Sequence, residues 1–212
     1  MEKKTWNLPP VWMEPAEGTA EWYIGMYYGE GPYDVDEAEE MIHMGLKFEG
    51  NQIYFLHYPD GTVYAPLERR ENVYYERPVW DQGRFGIAAV DFVKGEIAVY
   101  SYVPGQKPEI LHVIRLSDIE DCYNLRLTMS PLTLGRQKDH MYEILWPEKK
   151  VFTIGDGDSM VYRDGNILYF SRWLEEPKYR EYVVAVDIRT GKELSKKEGS
   201  LHRMPNGSFW LV

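Results

Sequence analysis

The sequence predicts an all-β protein built from antiparallel meanders, and three observations carry that expectation. Beyond residue 50, β-branched and aromatic residues come in runs of four to eight between clusters of Gly, Pro, Asn and Asp. The punctuation itself includes Pro59-Asp60-Gly61, Lys94-Gly95, Arg163-Asp164-Gly165 and Pro205-Asn206-Gly207. Asp-Gly and Asn-Gly suit turns whose central residues need positive φ, so they join antiparallel neighbours and not parallel crossovers. Finally, helical signals are confined to one stretch, residues 34–44.

Taken in order, residues 1–20 hold Pro9, Pro10 and Pro15 with Trp6 and Trp12 and show no period. They read as an N-terminal arm that lays its tryptophans on the body, with 21–212 as a single all-β domain. Residues 21–28 are strand-like but have no hairpin partner nearby. The 34–44 segment begins with aspartates, is acidic in its first turn and stops at Gly45, which predicts about three helical turns. Strands follow at 52–58 and 62–64, 85–92 and 96–102, then 109–116, 124–129, 141–146 and 151–154. The chain closes with 160–162 and 166–173, 181–188 turning at Arg189-Thr190-Gly191-Lys192, and 201–204 and 208–212.

Four hairpins share a form, a strand, a polar-Gly turn and an aromatic-rich strand, and centre on Gly50, Gly95, Gly165 and Gly207. The intervals are 45, 70 and 42 residues, and two of them match a four-stranded propeller blade. With a further hairpin inside the long interval, the expected architecture is a small, about five-bladed β-propeller-like ring. Its last blade would be incomplete, and pairing residues 21–28 with the C-terminal strands would close it. A β-sandwich of two meander sheets is the competing arrangement.

One segment is more specific. Val183-Val184-Ala185-Val186-Asp187-Ile188-Arg189-Thr190-Gly191-Lys192-Glu193-Leu194 resembles the outer strand pair of quinoprotein-like β-propeller repeats, and the resemblance extends over about residues 158–197. It implies a turn in which Gly191 takes positive φ while Asp187 and Thr190 oxygens accept from backbone N–H groups. The tryptophan that ends such motifs is absent at Ser195–Lys197. The resemblance implies a blade and carries almost no information about a quinone cofactor.

Chemistry is read mostly by exclusion. With 34 acidic against 24 basic residues the net charge is −10, which argues against nucleic acid and anionic membrane as partners. No apolar run approaches the roughly 20 residues of a membrane helix, and Met1-Glu2 lacks the glycine of a myristoylation signal. The chain therefore reads as cytoplasmic. The single cysteine, Cys122, excludes an intramolecular disulfide, and its carboxylate neighbour Asp121 opposes thiolate formation. The Glu-x-x-His pair Glu109/His112 lies in a strand, where residues three apart face opposite sides. A calcium loop starting at Asp156 fails at its fifth and sixth positions, Met160 and Val161. Neither a nucleophile elbow nor a phosphate-cradling glycine loop occurs. No catalytic residue, metal site or cofactor is expected.

In a propeller-like ring, the loops feeding the innermost strands open at one end. There the expected ligand-binding residues are Trp80, Asp81, Tyr123, Asp156, Asp158 and His202, a set suited to a hydroxylated or cationic ligand. The reading is a non-enzymatic binding or interaction module whose partner is a protein, peptide or carbohydrate. The rival is a carbohydrate-active enzyme of glycoside hydrolase type with paired carboxylates, one of them desolvated. A third class, an oligomerising protein, would show an apolar patch with self-complementary symmetry.

Overall fold

The computed structural model describes every residue except 1, 2, 4 and 7. The start at Met1-Glu2 read above for lipidation lies outside the described residues. Two compact units divide the chain, residues 1–122 and 123–212.

In the first unit, Met13–Pro15 (β1), Trp22–Tyr27 (β2), Gln52–His57 (β3) and Val63–Tyr64 (β4) form one antiparallel sheet in that order. Residues 21–28 therefore do have partners: β2 pairs β1 through Ile24↔Glu14 and β3 through Ile24↔Phe55. The expected pairing with the C-terminal strands is not what forms. The β1 partner went unseen because three residues, ending in a proline, are too short to show a period of two. The helix α1, Val35–His43, spans the loop between β2 and β3 and matches the sequence reading. Glu37 accepts from the Tyr33 N–H at 2.9 Å at its start, and Gly45 (φ 73°) ends it with an N–H bond to the Ile42 carbonyl.

Val73–Tyr75 (β5), Val79–Asp81 (β6), Arg84–Asp91 (β7), Glu96–Tyr102 (β8) and Glu109–Arg115 (β9) make the second sheet. Both β5 and β6 pair with β7, at Tyr74↔Val90 and Trp80↔Phe85, so they act as one strand interrupted at Glu76-Arg77-Pro78. Pro78 has no N–H to offer a ladder, which accounts for the break. The Gln82-Gly83 turn (φ 50° and 84°) then returns the chain into β7. One core joins the two sheets, with Trp22, Ile24, Phe55, Val73, Phe85 and Ile87 among its members.

The second unit repeats the plan. Arg126–Thr128 (β10), Thr133–Lys138 (β11), Met141–Trp146 (β12) and Lys150–Thr153 (β13) form one four-stranded sheet. Asp158–Asp164 (β14), Ile167–Leu174 (β15), Arg180–Asp187 (β16) and Glu193–Glu198 (β17) form the next. Tyr142, Ile144, Phe152, Met160, Phe170 and Val184 share their core. Leu201–Arg203 (β18) and Phe209–Leu211 (β19) make a two-stranded ribbon. Phe209 of this ribbon meets the Tyr162 ring at 4.9 Å.

The all-β, propeller-like class holds: consecutive strands pair antiparallel in sheets of the blade type. Four such sheets are present among the described residues, and the fifth expected unit has only two strands, as the short C-terminal segment implied. Gly50 is a correction. It stands in the coil before β3 and centres no hairpin; an added Cβ would strike the Arg70 carbonyl and sit 2.9 Å from that of Val73. The glycine serves a close backbone approach, not a turn.

The segment resembling a propeller repeat is the sheet β14–β17 itself, 158–198. Its last turn has the implied geometry: Gly191 sits at φ 68°, and Asp187 Oδ1 accepts from the Thr190 N–H at 2.8 Å and its hydroxyl at 3.0 Å. Those bonds, with Arg189 alongside, hold the Asp187 carboxyl below the usual carboxylate range. Only backbone conformation restricts position 191, because the nearest atom to an added Cβ is 4.0 Å away. Gly191→Val is expected to lower unfolding free energy by about 1–2 kcal/mol, and Gly191→Asn by less. Chemical denaturation checks this; an unchanged midpoint for the valine variant would contradict the left-handed assignment.

Candidate functional site

The six residues expected to bind a ligand fall in three places. Trp80 and Asp81 stand in strand β6, not in a loop feeding an inner strand. Trp80 packs on the core, with its ring 4.8 Å from Phe85 and 6.2 Å from Trp22, while Asp81 is buried opposite Arg84. The sequence reading began the sheet at β7 and so assigned its first strand to a loop. His202 is in β18, exposed, with Nε2 3.1 Å from the Ser200 hydroxyl.

Tyr123, Asp156 and Asp158 gather at one end of the second unit, where β10 and β14 begin and β11 turns into β12. Tyr123 lines a polar pocket of about 330 Å³ with Asn124, Gln137, Lys138 and Asp139. The Gln137 amide is fixed from below: it donates to the Asp158 carbonyl at 2.5 Å and accepts from the Met160 N–H at 3.0 Å. Asp158 is itself an anchor, because its carboxylate accepts two bonds from Arg172 (2.5 and 2.8 Å) and one from the Gly155 N–H at 2.8 Å. The same pairing raises the Arg172 pKa. Asp156 is exposed and lies 3.0 Å from His140 Nδ1. Thus Gln137 and His140, neither singled out from the sequence, connect the three residues that were.

A larger concavity lies in the first unit, at the turn from β3 to β4. It measures about 500 Å³, and Trp6, Tyr23, His57 and Tyr58 line it together with Leu56, Pro59 and Gly61. Two of its rings are held by their own bonds. Trp6 donates its indole N–H to the Gly61 carbonyl at 2.7 Å, and its ring lies 3.2 Å from where a Cβ on Gly61 would stand. A Cβ at position 61 would be tight against that ring, and the positive φ of 80° itself favours glycine there. His57 Nδ1 pairs with Asp60 at 2.9 Å and its ring sits 4.6 Å from Trp22. An imidazole whose Nδ1 proton is directed at a carboxylate presents Nε2 as an acceptor when neutral. Trp6 and Tyr58 remain well exposed.

The sequence reading missed this groove. Pro59-Asp60-Gly61 was read as turn punctuation and Trp6 as part of an arm, and 55 residues separate the two partners of the indole bond. Within that arm Trp6 does lie on the body, whereas Trp12 is 81% exposed.

Cys122 has no part in either place. It is fully buried, its N–H donates to Glu39 at 2.8 Å, and burial followed by the charge of Glu39 pushes its thiol pKa far up. Among the described residues no cluster of three His, Cys, Asp or Glu is placed to hold a metal ion, and no helix is long and apolar enough to cross a membrane.

No protein-family model matches the chain, and no curated protein does. Among solved structures, it is similar to the crystal structure of a "putative 6-phosphogluconolactonase" from Bacteroides uniformis, at 19% identity and a TM-score of 0.37. The match covers 74% of this chain and 55% of that one, so the chain spans about half of its relative's length.

Asp60 supplies a pH test of the groove wall. Hydrogen bonds from the Thr62 backbone, then from His57, hold its carboxyl at a pKa of about 2. A carboxyl depressed on folding contributes stability above its unfolded pKa, near 3.8, and loses it as pH falls toward 2. Wild type should therefore exceed Asp60→Asn in stability at neutral pH, and the gap should shrink across that acid window. Denaturation midpoints measured as a function of pH read the difference; a gap independent of pH would contradict the depressed pKa.

Proposed function

We propose that this chain is a non-enzymatic binding module whose ligand is an uncharged carbohydrate chain held in the Trp6–Tyr23–Tyr58 groove. The observation that carries the reading is the fixing of aromatic side chains around that open groove before any ligand arrives. Indole and phenol rings offer apolar faces to the C–H faces of a sugar, and their polar edges, with an imidazole acceptor, suit its hydroxyls. A platform already locked by the Trp6–Gly61 and His57–Asp60 bonds loses little freedom on binding.

The enzyme reading finds less support. Glycoside hydrolysis needs a pair of carboxyl groups, one protonated near neutral pH. Among the described residues the groove lining contains no carboxylate, and neighbouring Asp60 is held anionic, the wrong state for a general acid. At the loop end of the second unit, Asp139 is the one carboxylate of the pocket lining, while Asp158 is committed to Arg172.

The polar pocket at Tyr123 supports a second reading, in which a hydroxylated or cationic ligand binds beside Tyr123, Asp156 and Asp158. Its support is the Gln137 amide, fixed by two backbone groups at the pocket floor.

Titration of neutral cello-, malto-, xylo- and chito-oligosaccharides, followed by thermal shift and calorimetry, tests both. One of them should raise the melting temperature saturably, since a ligand of the native state stabilises by mass action. Trp6→Ala and Tyr58→Ala should each weaken binding about tenfold, or about 1.4 kcal/mol, while Gln137→Ala leaves it unchanged. The reverse pattern would move the ligand to the second unit. No shift with any sugar would overturn the carbohydrate reading in favour of a protein or peptide partner.

A further inference from the structure

The edge of the second sheet in the first unit stands apart from the other strand edges. β9, Glu109-Ile110-Leu111-His112-Val113-Ile114-Arg115, is the outermost strand and among the described residues pairs only through β8. Six of its seven residues are exposed, among them Ile110 at 55%, Leu111 at 38% and Val113 at 43%. An outer strand carries a row of backbone N–H and C=O groups with no ladder partner, and proteins normally blunt such edges by shortness, lysines or proline. Several other edges follow that habit: β1 has three residues, β4 has two, and β17 carries Lys196 and Lys197 among wholly exposed residues, while the equally long edge β14 is mostly buried. β9 is seven residues long, has no lysine or proline, and is apolar in its middle.

Its sequence is also self-complementary. Set antiparallel to a second copy about His112, the strand brings Glu109 opposite Arg115 and Ile110 opposite Ile114. Leu111 then meets Val113, and His112 meets itself. Every pair except the central His112 pair is complementary in charge or matched in aliphatic character, and both ends carry the Glu–Arg pair because a two-fold axis repeats each contact. We propose that β9 is a homodimerisation edge, at which two copies of this chain join their sheets by antiparallel pairing about His112.

Two local features bear on the pairing. The register with β8 shifts between Val99 and Tyr100, leaving Leu111 as the extra residue of a bulge. A bulge interrupts a ladder locally and twists the edge, so pairing between two copies relies on the residues on either side of Leu111. Arg115 already forms a forked bond with Asp118 at 3.0 and 3.1 Å, in a highly exposed setting. Such surface pairs contribute little and are exchanged readily, so Arg115 is available to Glu109 of the other copy. One strand pair covers less than the roughly 1,200 Å² of a stable interface, so the dimer is expected only at high concentration.

Sedimentation velocity across a concentration series, at low salt, reads the outcome. The apparent mass should climb from 24.9 kDa toward twice that value as concentration rises. Val113→Lys, a change at an exposed position, should abolish the rise with melting temperature unchanged. Glu109→Arg and Arg115→Glu should each suppress dimer at least tenfold by placing like charges opposite each other at both ends. The double swap should restore it, since it rebuilds both pairs reversed. Wild type that stays monomeric at about 1 mM, far above the range of ordinary specific contacts, overturns the proposal. So does a dimer that persists in Val113→Lys, or one that neither single swap weakens, because it would use another surface.

Discussion

A four-stranded sheet cannot hide an apolar face by itself, and that constraint organises this chain. Each sheet covers a face with its neighbour in the same unit: Ile24 and Phe55 from β2 and β3 meet Phe85 and Ile87 from β7. In the second unit Tyr142 and Ile144 from β12 meet Met160 and Phe170 from β14 and β15. The strands that sit between these faces show the consequence. β7 is buried at every position but its first, while the outer strands β9 and β17 are almost wholly exposed. A strand covered on two sides reads as a continuous apolar run, which is why 85–92 is so plain in the sequence.

Several charged groups taken into these cores are paired. Arg163, 4% exposed, donates to the Gly165 carbonyl, the Thr133 hydroxyl and Glu148 at 2.7–3.0 Å, tying β14 to the neighbouring sheet. Arg136 and Glu143 face each other across β11 and β12 at 2.9 Å. Removing one member of such a pair would strand a buried charge, so they act as registration marks between strands as much as stabilisers. Asp158 with Arg172 does the same at the mouth of the second unit, and it holds Gln137 in place only indirectly, through the backbone it anchors.

The two candidate binding places arise from the same architecture by different routes. The polar pocket at Tyr123 is assembled where first strands begin, so its residues come from turns whose positions the sheet dictates. The aromatic groove instead depends on a segment outside the strands, since Trp6 supplies one wall by crossing Gly61. Loops and chain ends held on a rigid scaffold are common carriers of binding, because they can change without disturbing the core.

Much of the fold was legible from residue types alone. Asp-Gly and Asn-Gly turns marked hairpins at Gly165 and Gly207, and the Asp187–Gly191 turn could be drawn to the atom, because φ preferences and side-chain caps act within five residues. The helix at 35–43 was equally local. The three-residue strands β1, β5 and β6 escaped because each offers too few alternations to register, and β11 was obscured by Gly135 and by Arg136, polar yet buried. Of the candidate sites, the sequence supplied the residue types of the loop end but could not bring Gln137 and His140 to them. It gave no hint that Trp6 meets a turn 55 residues away. What the sequence determined by itself was whatever depends on neighbours along the chain: turn, helix cap and alternation. What only the tertiary structure decided was which strand lies beside which, where Gly50 is pressed against another backbone, and which aromatic side chains share a groove. Those contacts join residues far apart in the chain, and hydrophobic burial, which brings them together, carries no direction until the sheets have packed.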